Sequence, residues 1–434
     1  MSCSFPKRSL VCLTVGTLLV LATAAVAFAA PRPVPDPGGG LRVPEMPATL
    51  TQAFRQVSNG GRIVLVRSIR ENVVVRNKKD VTVVVEGDRN LSITARDEDE
   101  PVILFENCQG ITFERITFEG GSSGFDLDDS SSVILRECVV QENLASGIRG
   151  GGVTLEFCQI INNGTWGIEL IGPSGARLDA IESTISGNGT GGLRMHAGSA
   201  SIEASSFTDN GGFGLVVDGE ASVQFVEGEG VTTISGNAEG GVLVTDATFT
   251  LRGNARVENN LGVGVQAENS VLNVEDARIS GHPDAALLYI GSSGSVSGST
   301  VVDNTGVGIL LRDQSNVQVS TTTVTGQGSD GVRVLTGSSI SMSDSTVSGN
   351  AAHGFYFVGT AGDVSTSSVA NNQASGFALE AGADVGVNAT EISSNAVDGA
   401  TIDASTLSVT GGSVVENVRY GVYLFAGSRG TVQG

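Results

Sequence analysis

The sequence predicts an all-β solenoid, a parallel β-helix wound in coils of about 22 residues, and two observations carry that prediction. The first is a repeat. Fourteen times between Gly124 and Gly421 a turn residue, usually Asn, is followed four residues later by a small residue, nearly always Gly, and then by alternating apolar residues. Asn163-Gly-Thr-Trp-Gly167-Ile-Glu-Leu and Asn260-Leu-Gly-Val-Gly264-Val-Gln-Ala are examples. Of the thirteen gaps between successive key glycine positions, ten are 22 or 23 residues and the others are 20, 25 and 27. A period that regular marks a repeat architecture. The second observation is that the alternation within each repeat has period two, which belongs to strands and not to helices.

The position after each key glycine is apolar in every repeat, as in Phe125, Ile148, Ile168, Leu193, Leu215, Phe355 and Phe377. Two residues further on the column is again mostly apolar, with Leu127, Leu170, Met195, Val217 and Leu311. Period-two alternation sends both columns to one face, so like side chains stack from coil to coil inside a tube. A second apolar column lies three residues before the turn residue (Val140, Ile160, Ile185, Phe207, Ile234, Val257), and a third, less regular one precedes it (Val133/Leu135, Val317/Val319). These columns predict three short strands per coil.

The turn column holds Asn143, Asn163, Asn188, Asn210, Asn237, Asn260, Asn304, Asn350, Asn372, Asn395 and Asn417, with His282 and Gln327 substituting. Asn tolerates the left-handed backbone of a sharp bend, and stacked carboxamides can hydrogen-bond along the axis. His282 reads as a substitute in that ladder. At the front, Leu50, Ala53, Phe54 and Val57 fall at i, i+3, i+4 and i+7, a one-faced helix suited to plugging the first coil. Nothing comparable follows Gly421, and the sequence ends at Gly434 inside an incomplete coil, which leaves two expectations: a cap that lies downstream in a longer chain, the favoured one, or end-to-end self-association through that coil.

Three segments result: 1–29 as an export signal, 30–46 as a Pro/Gly-rich linker, and 47–434 as the β-helix, with its cap at 47–60 and regular coils from about 110. The signal has Lys7-Arg8, an apolar run and the small-residue site Ala27-Phe-Ala29. Its apolar run also has the length of an uncleaved anchor, so the body is secreted or held in the cell envelope. Removing residues 1–29 takes Lys7 and Arg8 away and leaves 23 cationic against 46 acidic side chains, a net charge of −23. That excludes nucleic acid as a partner, since no basic footprint exists to neutralise phosphates. Cys3 and Cys12 lie in the signal. Of the remaining three, Cys138 and Cys158 share a column with Ser183, Ser205 and Thr232 and read as small core residues, with a disulfide between them as the alternative. No spacing points to a metal, and no motif to a cofactor.

Together these features resemble the right-handed, single-stranded parallel β-helix proteins of the pectin-lyase-like superfamily, over residues 47–434. The segment from Gly61 to Val75 is similar to that family's opening motif, in which Tyr-x-Glu-Asn precedes the second strand; here Ile69 stands where Tyr is usual. The resemblance implies the fold. The superfamily spans lyases, hydrolases, esterases, epimerases and proteins without known activity, so it leaves the chemistry open. Of the hydrolase signatures only Asp128-Asp129 answers, and Gly281-His-Pro-Asp284 is a scrambled echo of the epimerase Asp-Pro-His-Asp; no family catalytic residue carries over.

The residue between the two inward columns points outward and forms a stripe: Asp126, Arg149, Glu169, Arg194, then mostly neutral residues. Beside it lie His196 and Trp166, the single Trp. This stripe can be an ion-pair ladder between coils. It can equally be a glycan face, with Arg149, Arg194 and Trp166 binding and Asp126, Glu169 or His196 as acid or base. Tyr356 and Tyr423 share the stripe, and Tyr289 lies near it as a further exposed ring. The favoured expectation is a non-catalytic surface scaffold or glycan-contacting module, with an extracellular or cell-surface polysaccharide as partner. The alternative is a polysaccharide lyase or glycoside hydrolase acting on an acidic polysaccharide.

Overall fold

The computed structural model describes residues 40–433 apart from 88, 89, 173–175, 227 and 229. The expected export signal, 1–29, and all but the end of the expected linker lie outside the described residues. So do parts of the two longest insertions, near 172–175 and 227–230. The chain forms a right-handed parallel β-solenoid of about 17 coils with 2% helix. No helix among the described residues is long and apolar enough to cross a membrane.

One coil shows the plan. Phe125–Leu127 lies on the first face, Ser132–Arg136 on the second and Val139–Gln141 on the third. Each strand pairs in parallel with its counterpart one coil on, as Phe125 does with Ile148, Val133 with Val153 and Val140 with Ile160. Among the described residues the third-face strands make a 16-stranded sheet, while the first and second faces join in one of 32 strands. They join because Gly191–Glu203 and Phe213–Phe225 run unbroken around the corner for 13 residues each. Pairing begins ahead of the first recognisable repeat, with Leu41–Val43 beside Ile63–Leu65.

The inward columns are the core. Ile148, Leu193, Leu215, Phe355 and Phe377 on the first face, and Val140, Ile160 and Phe207 on the third, have no exposed surface. Tyr289 corrects the sequence reading. It lies two residues after Leu287, hence on the inward column beside Ala267 and Leu311, and is fully buried. Burial pushes its phenol pKa far up.

Polar columns stack as regularly as apolar ones. The Asn143 carboxamide donates to Asn163 (2.9 Å), Asn163 to Asn188 (3.0 Å), and the chain of bonds continues through Asn210 and Asn237 to Asn260. It resumes from Asn304 to Gln327 and from Asn350 through Asn372 and Asn395 to Asn417. At the bend, the left-handed residue is the one before the ladder position, such as Glu142, Asn162, Asp209 or Gly236. The ladder Asn is therefore kept for its carboxamide and not for its backbone freedom. Hydroxyls form a similar column: Cys158 N–H donates to Ser183 Oγ, and Ser183 N–H to Ser205 Oγ. Cys108, Cys138 and Cys158 are buried free thiols, and burial pushes Cys158 up to about 12.

The helix Leu50–Gln56 buries Leu50, Ala53 and Phe54 over the first coil. Its N-terminus is held twice. Thr49 Oγ1 accepts from Gln52 N–H, and the Glu71 carboxylate accepts from Leu50 N–H (2.8 Å) and Thr51 N–H (3.0 Å). The neighbouring Asn72 pins the turn at 96–101: its amide donates to the carbonyls of Asp97, Glu100 and Pro101, and its oxygen accepts from Arg96 and Asp97 N–H. The Glu-Asn pair of the opening motif thus joins the cap to the solenoid.

Candidate functional site

Backbone pairing places Asp126 beside Arg149, Arg149 beside Glu169, Glu169 beside Arg194 and Arg194 beside Val216. Adjacent members are one strand spacing apart, about 4.8 Å, so charges of alternating sign line the outer surface of the first face. The two candidate carboxylates sit on strands two coils apart, roughly 9.6 Å by the same spacing.

Four of the six candidate residues share one open concavity of about 380 Å³: Asp126, Arg149, Trp166 and Glu169, joined by Thr165 and Thr190 from the adjoining turns. Glu169 is already engaged, accepting from Ser146 Oγ at 3.0 Å and facing Arg194 at 3.9 Å. Asp126 is half-buried, and burial raises its pKa while the Arg149 charge opposes the rise. The Trp166 ring covers Gly191 of the next coil, where a Cβ would collide with the indole. Phe213 covers Gly240 in the same way.

Arg194 and His196 stand apart from that concavity. Arg194 spans Glu169 and Asp218, at 3.9 and 3.8 Å. His196 follows a register shift after Met195, is exposed, and its Nδ1 faces Asp218. Asp128 serves its own turn, accepting from Asn107 N–H at 2.7 Å and Ser131 Oγ at 2.6 Å. His282 lies fully buried in the carboxamide column, as its sequence position implies. Among the described residues no group of three or more His, Cys, Asp or Glu side chains is placed to hold a metal ion.

Sequence reasoning missed a second polar cluster on the same face. Asp330 is 2% exposed, and its carboxylate accepts from His353 N–H (2.9 Å), His353 Nδ1 (3.0 Å) and Arg333 (2.6 Å). Burial draws its pKa upward, but the hydrogen bonds from His353 and Arg333 outweigh this and hold it below the usual carboxylate range. The His353 and Tyr356 rings stack with centroids 5.6 Å apart, Arg333 lies 5.5 Å over the Tyr356 ring, and Tyr356 Oη donates to Glu380 at 2.8 Å. Three coils on, Asp398 is fully buried and binds Arg419 (2.6 Å), Tyr420 N–H (3.1 Å) and Thr401 Oγ1 (2.8 Å). Tyr420 and Tyr423 stack at 5.3 Å, with Arg419 5.4 and 5.1 Å from their centroids. A sequence signal existed. Asp330 and Asp398 occupy the column before the key glycine, which earlier coils fill with Ser146, Trp166, Gly191, Phe213, Val263 and Val307.

A right-handed parallel solenoid of repeating coils defines the class. The chain belongs to the right-handed β-helix family: the model described as "Right handed beta helix region" matches residues 101–229, 149–305, 230–367 and 292–434. No significant match was found among curated proteins. Among solved structures, the chain is similar to the periplasmic alginate epimerase AlgG at 12% identity, TM-score 0.40, covering 91% of this chain and 84% of that one. It is similar to the A-module of the Azotobacter vinelandii mannuronan C-5 epimerase AlgE6 at 14% identity, TM-score 0.29, with 86% and 91% covered. Pectate lyase Pel9A follows at 13% identity, TM-score 0.25, with 76% and 77% covered. Each likeness extends to the fold alone.

Proposed function

We propose that this chain is an exported, elongated β-helix that contacts glycan without catalysis, as a surface scaffold or binding module. The observation that carries this reading is the shared concavity, in which Trp166 and Arg149 sit beside the two carboxylates Asp126 and Glu169. An aromatic ring offers an apolar body to a sugar face, and the polar groups around it fix orientation. Glu169 is committed to Ser146 and Arg194, which suits a fixed hydrogen-bonding wall better than a proton shuttle. The export assignment rests on residues 1–29.

The test is a polysaccharide array probed with the intact protein, followed by titration of Trp166 fluorescence. Binding is expected for at least one polysaccharide, with Arg149→Ala/Trp166→Ala at least about tenfold weaker and the β-rich circular dichroism unchanged. An array on which the wild type binds nothing removes the proposal. A second reading, a lyase or hydrolase acting on an acidic polysaccharide, draws support from one observation, the raised pKa of half-buried Asp126, as a general acid requires. Release of reducing ends or unsaturated sugars by the wild type, lost in Asp126→Asn, would favour it over the non-catalytic reading.

A further inference from the structure

The two buried aspartates raise a question of cost. A carboxylate removed from water must be compensated by partners, and an apolar residue would fill the same column without any such demand. Other coils make that simpler choice with Val263, Ala285 or Val307. At Asp330 and Asp398 the compensation comes from side chains that also build something on the surface: an arginine held rigidly against a stacked pair of rings. The two assemblies reach this composition by different routes. Arg333 follows Asp330 within one coil, whereas Arg419 comes from the coil after Asp398. The rings keep the same two coil positions in both assemblies, one before and two after the key glycine, while the arginine differs.

The ring pairs are also spaced as a set. Tyr356 and Tyr423 occupy one outward row, with Ala378 and Thr401 between them, so they stand three strand spacings apart, about 14 Å. His353 and Tyr420 flank them in the column before the key glycine, with Ser375 and Asp398 between. The intervening side chains are small or buried, and Ser375 and Thr401 bond each other at 2.8 Å. The result is a stretch of small or buried side chains, with Thr401 its partly exposed polar group, between two aromatic pairs.

The charges choose among ligands. Each arginine is neutralised by its own aspartate, and Glu380 adds a further negative charge beside Tyr356, so three carboxylates face two guanidinium groups. The whole chain carries a net charge of −21. A polyanion approaching this surface meets repulsion and finds no unpaired cation. A neutral polyhydroxylated strand meets neither obstacle. Its apolar ring faces can lie on Tyr356 and Tyr423, and its hydroxyls can donate to Glu380 and to the partly exposed Thr401 Oγ1.

We propose that His353/Tyr356 and Tyr420/Tyr423 are two linked subsites for a neutral glycan strand running along the solenoid axis. This rests on the reading of the outer face as glycan-contacting but adds a separate site and a ligand class. Trp166 lies seven coils from Asp330, about 34 Å by the strand spacing, so the two sites can be read independently. The experiment uses the intact protein with soluble β-glucan, xylan and galactomannan as neutral probes and polygalacturonate as the anionic one. Binding is followed by calorimetry and by Trp166 fluorescence.

The expected result is binding of a neutral probe without a Trp166 signal, weakened at least about tenfold in Tyr356→Ala/Tyr423→Ala and unchanged in Arg149→Ala/Trp166→Ala. Tyr356→Leu/Tyr423→Leu, which keeps the apolar bulk, guards against a folding artefact. Long chains that span both platforms should also bind more tightly than short oligomers of the same sugar. Neutral binding that survives both tyrosine variants and is lost in Arg149→Ala/Trp166→Ala overturns this inference and leaves the proposed function standing. Binding of polygalacturonate alone does the same. Absence of binding to every probe, on a wild-type protein that also fails the wider array, removes both.

Discussion

At position 282 an imidazole stands where neighbouring coils put a carboxamide. His282 N–H still donates to Asn304 Oδ1 at 3.0 Å, and Nε2 meets Val257 O at 3.0 Å, but Nδ1 is buried without a partner. Asn260 above it keeps only the carbonyl of Ile234 for its amide. His282→Asn should restore the acceptor that Asn260 lacks and remove the orphan nitrogen, a gain of about 1 kcal/mol. Slower amide exchange around residues 260 and 304 would register it. Burial lowers the His282 pKa. Below about pH 6.5 the unfolded chain therefore takes up a proton that the folded imidazole resists, and stability falls with pH. The melting temperature of His282→Asn should pull ahead of the wild type between pH 8 and pH 5; parallel curves would show that the imidazole is not the cause. Most single-residue assignments were legible because a column repeats fourteen times and each coil checks the others. Leu215→Asp, which buries an unpaired carboxylate in such a column, should cost several kcal/mol and abolish cooperative unfolding. The alternation that turns Leu287 inward turns Tyr289 inward as well, so its burial was legible from position.

Among the elements, the short helix at the front depends on a residue outside it. Seven residues are too few to hold a helix by propensity alone, and Leu50–Gln56 is fixed by its buried face and by Glu71. Glu71→Ala would leave two helix N–H groups without their acceptor, at a cost of about 1–3 kcal/mol. Exchange should accelerate selectively over residues 50–57 and the first coil, with the remote coils unaffected; uniform acceleration would contradict the local role. The helix itself was legible from its i, i+3, i+4, i+7 pattern. Its partner was not, because Glu71 acts across 20 residues of sequence and has no periodic neighbour to reveal it. The same holds for the candidate site. The outward row Asp126–Arg149–Glu169–Arg194 could be read from period two, since register follows directly from the repeat. Which of its members share a concavity could not, because that depends on side chains from the turns, such as Thr165 and Thr190. The Asp330 and Asp398 clusters escaped for the complementary reason: each draws donors from two coils, and only the departure from small or apolar residues in one column marked them.

For the molecule as a whole, a solenoid predicts a particular kind of tolerance. Each coil contacts its neighbours along three strands, two polar columns and one packed interior, and almost nothing beyond them, so stability is close to a sum of repeat and interface terms. The interfaces are nearly interchangeable where the coils are regular. Removing residues 309–331 would join Gly308 to Val332. Val332 would then stack on Leu287 as Ile309 now does, and Asn350 would receive the Asn304 amide that Gln327 now accepts. The apolar columns stay in register, because 23 residues is one full turn of the coil. This deletion should therefore give a folded, cooperative protein with circular dichroism per residue like that of the wild type. Removing only residues 309–319 breaks the same chain at mid-coil. It would remove most of the second-face strand Asn316–Ser320, bring the third-face residues Thr323–Thr325 under first-face columns and leave the polar ladders without partners, so it should yield an aggregated or unfolded product. The contrast between the two deletions is the measurement. Equal loss of structure in both would mean that long-range features, and not coil-to-coil stacking, hold the molecule together.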